Sequence, residues 1–364
     1  MIELIGNTAQ RLDLAMAIAM LCLLLIVNDA LGGRIPRIYN EATPPWPKPS
    51  FSSWRAHRDL IYSRHVSCKM DLYLPQGALG KSREVMSSSL DTGDDSQEGL
   101  DRSLGDIRRG GGFPCILFIQ GQGFARVNRQ YVKGYMEPLK HGFAMAAIAY
   151  RCSDEAVFPA PVHDCRDAVR FLKRHAGNLG IDGDRIGVWG IAAGGYLASL
   201  LGCLGNVERF QGERPRYSLS SSVKAVAVWS APSNLLTLEK QFWHLFRHES
   251  PSYHPLKKLL RYEKYLGLPL ERARERMQLA SPYFYVDIAD PPFLLHHGYH
   301  DTIVPRQQAL DFEEKLKKEG VPVELVLMPL AGHEFKRRDV ELDGHNPKRR
   351  VLQFFEKYLS GGRK

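Results

Sequence analysis

Residues 185–201 read RIGVWGIAAGGYLASLL. The run Arg185–Trp189 is short and apolar enough for a buried strand, and the small residues after Gly190 suit a helix. Between them, WGIAAGG (189–195) must make a sharp strand-to-helix turn. Gly190 and Gly194 flank Ala192 there. A side chain at either glycine would clash in so tight a turn, while the central residue is thrust up and outward. Glycines at such junctions also serve close packing alone, so the string by itself establishes a turn and no chemistry.

Working outward, residues from Phe113 onward alternate strand and helix, which calls for a mostly parallel central sheet with helices on both faces. Strands are expected at 114–119, 143–150, 185–189, 223–230, 292–296 and 323–328, and helices at 160–176, after Gly190, and at 346–358. Residues 234–280 form a long, mostly helical excursion rich in aromatics, Arg and Lys, placed as a cap. Upstream, 61–74 predicts one or two antiparallel strands, because CKMDLYL (68–74) alternates in period two.

Two later loops share the elbow's setting. LLHHGYHD (294–301) ends a buried strand and puts Asp301 in the loop beyond it, and LAGHE (330–334) does the same for His333. An aspartate in such a turn is often only a turn former, and a lone loop histidine is often structural. The chain order elbow, Asp, His gives the three positions joint meaning, because it is the order of α/β-hydrolase sites. FIQGQGF (118–124) follows the first central strand, where a loop of backbone N–H donors for an oxyanion belongs.

These segments make the chain similar to the α/β-hydrolase group that includes bacterial feruloyl and acetyl-xylan esterases, and more distantly hormone-sensitive-lipase-like carboxylesterases. IAYR (148–151), FPA (158–160), DCRDAV (164–169), GID (180–182), DRIG (184–187), AGGYLA (193–198), ASP (280–282), DPPF (290–293) and GVPV (320–323) carry the resemblance. It spans about 61 to 359. The resemblance implies an α/β-hydrolase fold and a serine-type carboxylic ester hydrolase needing no cofactor and no metal. It places Ala192 where that group has its nucleophilic serine, in an elbow that reads G-x-S-A-G-G. His333 would be the general base and Asp301 its orienting acid. Backbone N–H groups of Ala193 and of the Gly121, Gln122 and Gly123 loop would receive the oxyanion. The chain departs from the pattern twice, in the absent serine and in Gln120-Gly121-Gln122-Gly123 where the group has an HGGG-like string. No nearby residue replaces the nucleophile: Ser199 lies inside the elbow helix, Ser230 follows a neighbouring strand, and nothing local activates Cys152 or Ser153.

The N-terminus adds a location. LAMAIAMLCLLLIV (14–27) is unbroken and apolar, and at about 1.5 Å per residue it rises roughly 21 Å, short of the roughly 30 Å hydrocarbon core. That suits a secretory leader within 1–33, or an uncleaved anchor, and in either case an extracytoplasmic protein. Membrane contact is expected only if this segment is retained. Residues 34–60 read as a Pro-rich extended arm, and 61–364 as the catalytic-type domain. Residues 80–112 are rich in Ser, Asp, Gly and Arg and nearly lack aromatics, so they bury too little to offset their ordering and read as a disordered insertion.

The chain of 364 residues carries a net charge of +9. Its basic residues are scattered among Glu and Asp over 261–276 and 336–350, the pattern of a solvated face and not of a nucleic-acid surface. His296, His297 and His300 match no metal-ligand spacing. The cysteines outside the leader are irregularly spaced and read as buried small hydrophobes with at most a bridge or two. Three functions fit: an esterase altered at one serine, a pseudoenzyme binding a small-molecule or carbohydrate ester in the old groove, or His–Asp general-base hydrolysis through water. The paired departures at Ala192 and at Gln120 and Gln122 favour the second.

Overall fold

The computed structural model describes residues 54–75, 112–121, 123–125, 127–205, 207, 210, 219–245, 256–333, 335 and 346–360. The leader (1–33), most of the Pro-rich arm, residues 80–111 of the polar insertion, and Gln122 lie outside the described residues.

Eight strands form one sheet in the order β1-β2-β4-β3-β5-β6-β7-β8. They are β1 (Arg55–Ile61), β2 (Lys69–Leu74), β3 (Phe113–Ile119), β4 (Ala144–Ile148), β5 (Ile181–Ile191), β6 (Val226–Trp229), β7 (Phe293–Gly298) and β8 (Val323–Met328). β1 pairs antiparallel with β2, and β2 with β4, while β4 through β8 are joined by parallel pairings. This is the mostly parallel sheet that the strand–helix alternation called for, and the α/β-hydrolase fold that the resemblance implied. The extended arm is corrected at its end, because residues 55–61 are the edge strand β1 and the hairpin to β2 closes over 62–68. β1 is largely exposed, and a bulge between His57 and Leu60 shifts its register.

Why the central strands look uniformly apolar is visible in β3. Cys115, Leu117 and Ile119 point into one core, and Ile116 and Phe118 into the other. A strand covered on both faces has no polar side to show. The first core is closed by α1 (Ala160–Arg174), α2 (Ala193–Cys203) and α3 (Leu235–Leu245), by later turns of α4 (Leu256–Leu266), and by α6 (Gln307–Lys318). The second is closed by the 129–139 turns and by α7 (Pro347–Leu359), whose Val351, Leu352 and Phe355 are buried.

The excursion from 234 is helical as expected, comprising α3, α4 and α5 (Arg274–Leu279). Its two ends are pinned together: Leu235 N donates to Ser281 Oγ at 2.9 Å, and Tyr283 N to Ser233 O at 3.1 Å. Gln308 of α6 secures the same junction, its Oε1 accepting from Ser233 N and Asn234 N at 2.8 Å each. The cap therefore leaves and rejoins the domain at one point near the elbow helix, whose Tyr196 hydroxyl donates to Ala280 O.

Candidate functional site

The turn after β5 has the geometry that its glycines imply. Ala192 sits at φ 52° and ψ −119°, a conformation that costs a non-glycine residue about 1–3 kcal/mol. The surrounding backbone holds it there: Ala192 N donates to Trp229 O at 2.8 Å, and Tyr196 N donates to Ala192 O at 3.0 Å. A Cβ on Gly190 would stand 2.2 Å from Gly194 O, and one on Gly194 only 2.0 Å from Ile119 O. Strand β5, helix α2 and the end of β3 meet with no room for a methyl group. Ala192 crowns this junction with its methyl barely exposed.

The loops after β7 and β8 deliver the other two residues. They are packed on each other, with His300 N donating to Ala331 O at 3.0 Å, and a Cβ on Gly298 would meet Gly332 O at 2.1 Å. Within this clasp His333 Nδ1 lies 2.8 Å from Asp301 Oδ2. The other carboxylate oxygen accepts from Ile303 N at 2.7 Å and Val304 N at 2.9 Å. Burial pushes the Asp301 carboxyl up, but hydrogen bonds from His297 and His333 outweigh it and hold the group well below the usual carboxylate range. An ionised carboxylate only accepts, so His333 carries its proton on Nδ1 and keeps the Nε2 lone pair for taking a proton.

The loop after β3 lies directly on the elbow. A Cβ on Gly121 would stand 2.4 Å from Ala193 N and 2.3 Å from Gly194 N, so glycine there brings the loop against the helix N-terminus, where unpaired N–H groups gather. Gln120 corrects an expectation. Its side chain turns inward: it is buried, and its Oε1 accepts from Asn128 N at 2.9 Å. Tyr150 holds its carbonyl at 3.0 Å. Gln120 staples the 120–128 loop, so it is not a polar replacement facing the site.

Ser230 is fully buried, and the other alternative nucleophiles are spoken for. Ser199 Oγ donates to Gly195 O and Ser153 Oγ to Phe124 O, each at 3.0 Å. Burial pushes the Cys152 thiol up to about 11, which keeps it protonated.

The family model described as BD-FAE matches residues 106–316, more than half of the chain. The chain belongs to the BD-FAE family. Among curated proteins, this BD-FAE chain is 27% identical over 238 residues to a probable carboxylic ester hydrolase, LipM, of Mycobacterium tuberculosis, covering 63% of this chain and 51% of the relative. It is 26% identical over 267 residues to the esterase LipC of the same organism, covering 72% and 63%. The chain thus spans about half to two thirds of the relatives' length. Among solved structures, a truncated carbohydrate esterase from gut microbiota has a TM-score of 0.66 at 21% identity, covering 85% of this chain and 98% of that one. Esterase 2 of Thermogutta terrifontis, solved phosphorylated by paraoxon, has a TM-score of 0.57 at 20% identity, covering 88% and 97%. These likenesses are likenesses of fold.

Two neighbours of the BD-FAE site were not found by sequence reasoning. His297, fully buried, points Nε2 at Val304 O (2.9 Å) and at Asp301 Oδ2 (3.2 Å). Both are acceptors, so Nε2 carries the proton, and Asp301 has two histidines on one oxygen. Its place four residues before Asp301 was a signal, but in sequence it looks like strand filler. From the cap, Tyr262 sets its ring 6.0 Å from that of Phe124 in the 120–128 loop. Burial pushes the Tyr262 phenol well up, and the nearby Asp301 charge pushes it further. Through Tyr262 the helical excursion packs on Phe124.

Proposed function

We propose that the C-terminal edge of the sheet, roofed by the cap, is a binding site for a carboxylic ester of a small alcohol or carbohydrate, in an extracytoplasmic protein. The site is built as a serine hydrolase is built, without the attacking oxygen. The chain binds its ester without forming an acyl-enzyme, and Ser-type hydrolysis is lost or strongly impaired. The observation that carries this reading is Ala192 held at φ 52° between Gly190 and Gly194 in a fold that also pairs Asp301 with His333. Family membership and the esterase names of the relatives support the ligand class. The intact dyad favours one secondary reading, in which His333 Nε2 activates a water in place of the hydroxyl.

The test compares the chain with Ala192→Ser and His333→Ala on p-nitrophenyl acetate and methyl ferulate, with fluorophosphonate labelling alongside. Losing a nucleophile ordinarily costs about 10⁴ to 10⁶ in rate. The serine variant is expected to recover much of that factor and to label, while the unaltered chain stays unlabelled. A folded Ala192→Ser that neither hydrolyses nor labels favours the binding-only reading, and failure of the unaltered chain to bind methyl ferulate in a calorimetric titration overturns the ester-site reading. Turnover by the unaltered chain that disappears in His333→Ala selects the water route. Intact mass of the protein recovered outside the cytoplasm tests the location.

A further inference from the structure

His297 is fully buried, and its two ring nitrogens have different surroundings. Nε2 lies 2.9 Å from Val304 O and 3.2 Å from Asp301 Oδ2. Both partners only accept, so Nε2 carries the proton and Nδ1 keeps a lone pair. That lone pair meets no donor from the protein. A buried acceptor without a donor costs more than an ordinary hydrogen bond returns, so buried polar atoms are almost always partnered by protein or by ordered water.

The ring forms part of the wall of a cavity of about 10 Å³. Ser199 of α2, Ser233 at the cap junction, Gln308 of α6 and His296 supply the rest of its polar lining. A space of about 10–15 Å³ holds one water, provided that the water finds two to four polar partners. The serine and glutamine protons nearby are already in use. Ser199 Oγ donates to Gly195 O at 3.0 Å and Ser233 Oγ to Gln308 O at 2.7 Å. Gln308 Nε2 donates to Gln241 Oε1 at 2.6 Å and to Asn234 O at 3.1 Å. Each serine oxygen still has a lone pair with which to accept. The guest that fits is small and gives one proton to His297 and another to a hydroxyl. Water does both, whereas an apolar guest would leave Nδ1 unmet.

The consequence reaches the dyad through Val304. Its N–H donates to Asp301 Oδ1 at 2.9 Å while its carbonyl accepts from His297 Nε2. Val304, His297 and the carboxylate thus close a ring of three contacts, and Ile303 N fixes Oδ1 further at 2.7 Å. Oδ2 is left where His333 Nδ1 meets it at 2.8 Å. Were the His297 proton to move to Nδ1, the Nε2 lone pair would face a carbonyl and a carboxylate, and the ring of contacts would open.

We infer that one buried water occupies this cavity, donates to His297 Nδ1 and to Ser199 or Ser233, and holds His297 in the Nε2–H form, which makes His297 a positioning residue for Asp301. His297 touches no reacting atom and acts through the carboxylate. This clamp is built whatever ligand the cleft takes.

Magnetic resonance of the unaltered chain with isotope-labelled histidine at neutral pH tests the water. His297 is expected in the Nε2–H tautomer, with Nδ1 in its hydrogen-bonded range and a cross-peak from the ring to a long-lived water. A free or protonated Nδ1, or no such water, overturns the inference. Two variants test the positioning. His297→Gln keeps an N–H toward Asp301 and an acceptor for the water, and His297→Leu keeps neither. The His333 Nδ1 proton is expected to exchange with solvent about tenfold faster in His297→Leu, the order that losing one hydrogen bond gives, and to change little in His297→Gln. A role in packing alone would lower the melting temperature of a folded His297→Leu and leave that exchange unchanged, which overturns the positioning role. Ser199→Val fills the cavity from α2 without touching His297. It is expected to lose the water, mix the His297 tautomers and speed the His333 exchange, and an unchanged tautomer overturns the inference even if His297→Leu fails to fold. No ester enters these measurements, so their outcome is separate from that of the ester-site reading.

Discussion

Replacing Asp301 by asparagine isolates the charge at the centre of the site. The carboxylate accepts four hydrogen bonds: Ile303 N (2.7 Å) and Val304 N (2.9 Å) on Oδ1, His333 Nδ1 (2.8 Å) and His297 Nε2 (3.2 Å) on Oδ2. Asparagine keeps the volume and the first pair. Its amide then turns N–H groups toward two imidazole N–H groups. The 2.8 Å bond from His333, worth about 1.5–3 kcal/mol as a hydrogen bond to a charged group, is lost together with the longer shared contact from His297. His333, with a side chain 17% exposed, regains part of its share from water or from the other tautomer, and the sealed-in His297 keeps its 2.9 Å bond to Val304 O. The net cost is about 2–4 kcal/mol at pH 7, or roughly 5–12 °C in Tm for a domain of this size.

The same substitution makes a pH prediction with a definite sign. The native carboxyl is held below its usual range, so below about pH 5 the unfolded state binds more protons and stability falls with pH. The Asp301 contribution is complete above its unfolded value near 3.9, and by pH 3 about 1.2 kcal/mol of it is gone. Asparagine does not titrate. Urea unfolding of both proteins at pH 7, 5 and 3 therefore gives a stability gap that is constant from 7 to 5 and narrower by about 1 kcal/mol at 3. A gap that stays constant to pH 3, or widens, refutes the assignment of a buried, ionised Asp301 between two histidines.

Gly194→Ala forces a methyl group to 2.0 Å from Ile119 O; the loss should exceed about 4 kcal/mol, seen as insoluble or unfolded protein by circular dichroism. Gln120→Ala removes the acceptor of the Asn128 N–H; it should cost about 0.5–1.5 kcal/mol and speed proteolysis within 120–128, measured by melting and by mapping the cuts. The described cysteines, Cys68, Cys115, Cys152, Cys165 and Cys203, are free and buried, and burial pushes the Cys68 and Cys115 thiols up to about 12. Ellman's reagent should therefore find none of these five in the native protein and all of them after denaturation.

What was legible in the sequence follows from what each residue must satisfy. Buried strands such as Phe113–Ile119 declare themselves because both faces demand apolar side chains. β1 does not, because RAHRDLI (55–61) is held at the sheet edge by backbone pairing and leaves most of its side chains in water. Ala192, Asp301 and His333 could be placed because each follows a strand in the order the fold requires. The pairing of His297 with Asp301 could not, because a histidine in a strand gives no sign of what it faces. Gln120 was read together with Gln122 as a change in the site's lining; its inward side chain removes half of that argument for a remodelled site.

With Gln120 reassigned, the remaining question is which parts of the site the fold needs. The elbow glycines are needed whatever Ala192 does, because β5, α2 and β3 approach too closely for a methyl group; their presence says nothing about chemistry. Asp301 is partly needed, since Oδ1 organises the turn at 303–304, and a turn-forming aspartate would do that much alone. The fold does not require the other oxygen to meet His333. That histidine sits in a loop, part-exposed, with one nitrogen committed to a buried charge and the other free for a proton. A packing role would have been met by a smaller apolar side chain at position 333 and a neutral one at 301. The dyad is thus the feature that folding explains least. It is the reason for reading the cleft as an ester site with Ala192 in the place of its missing oxygen.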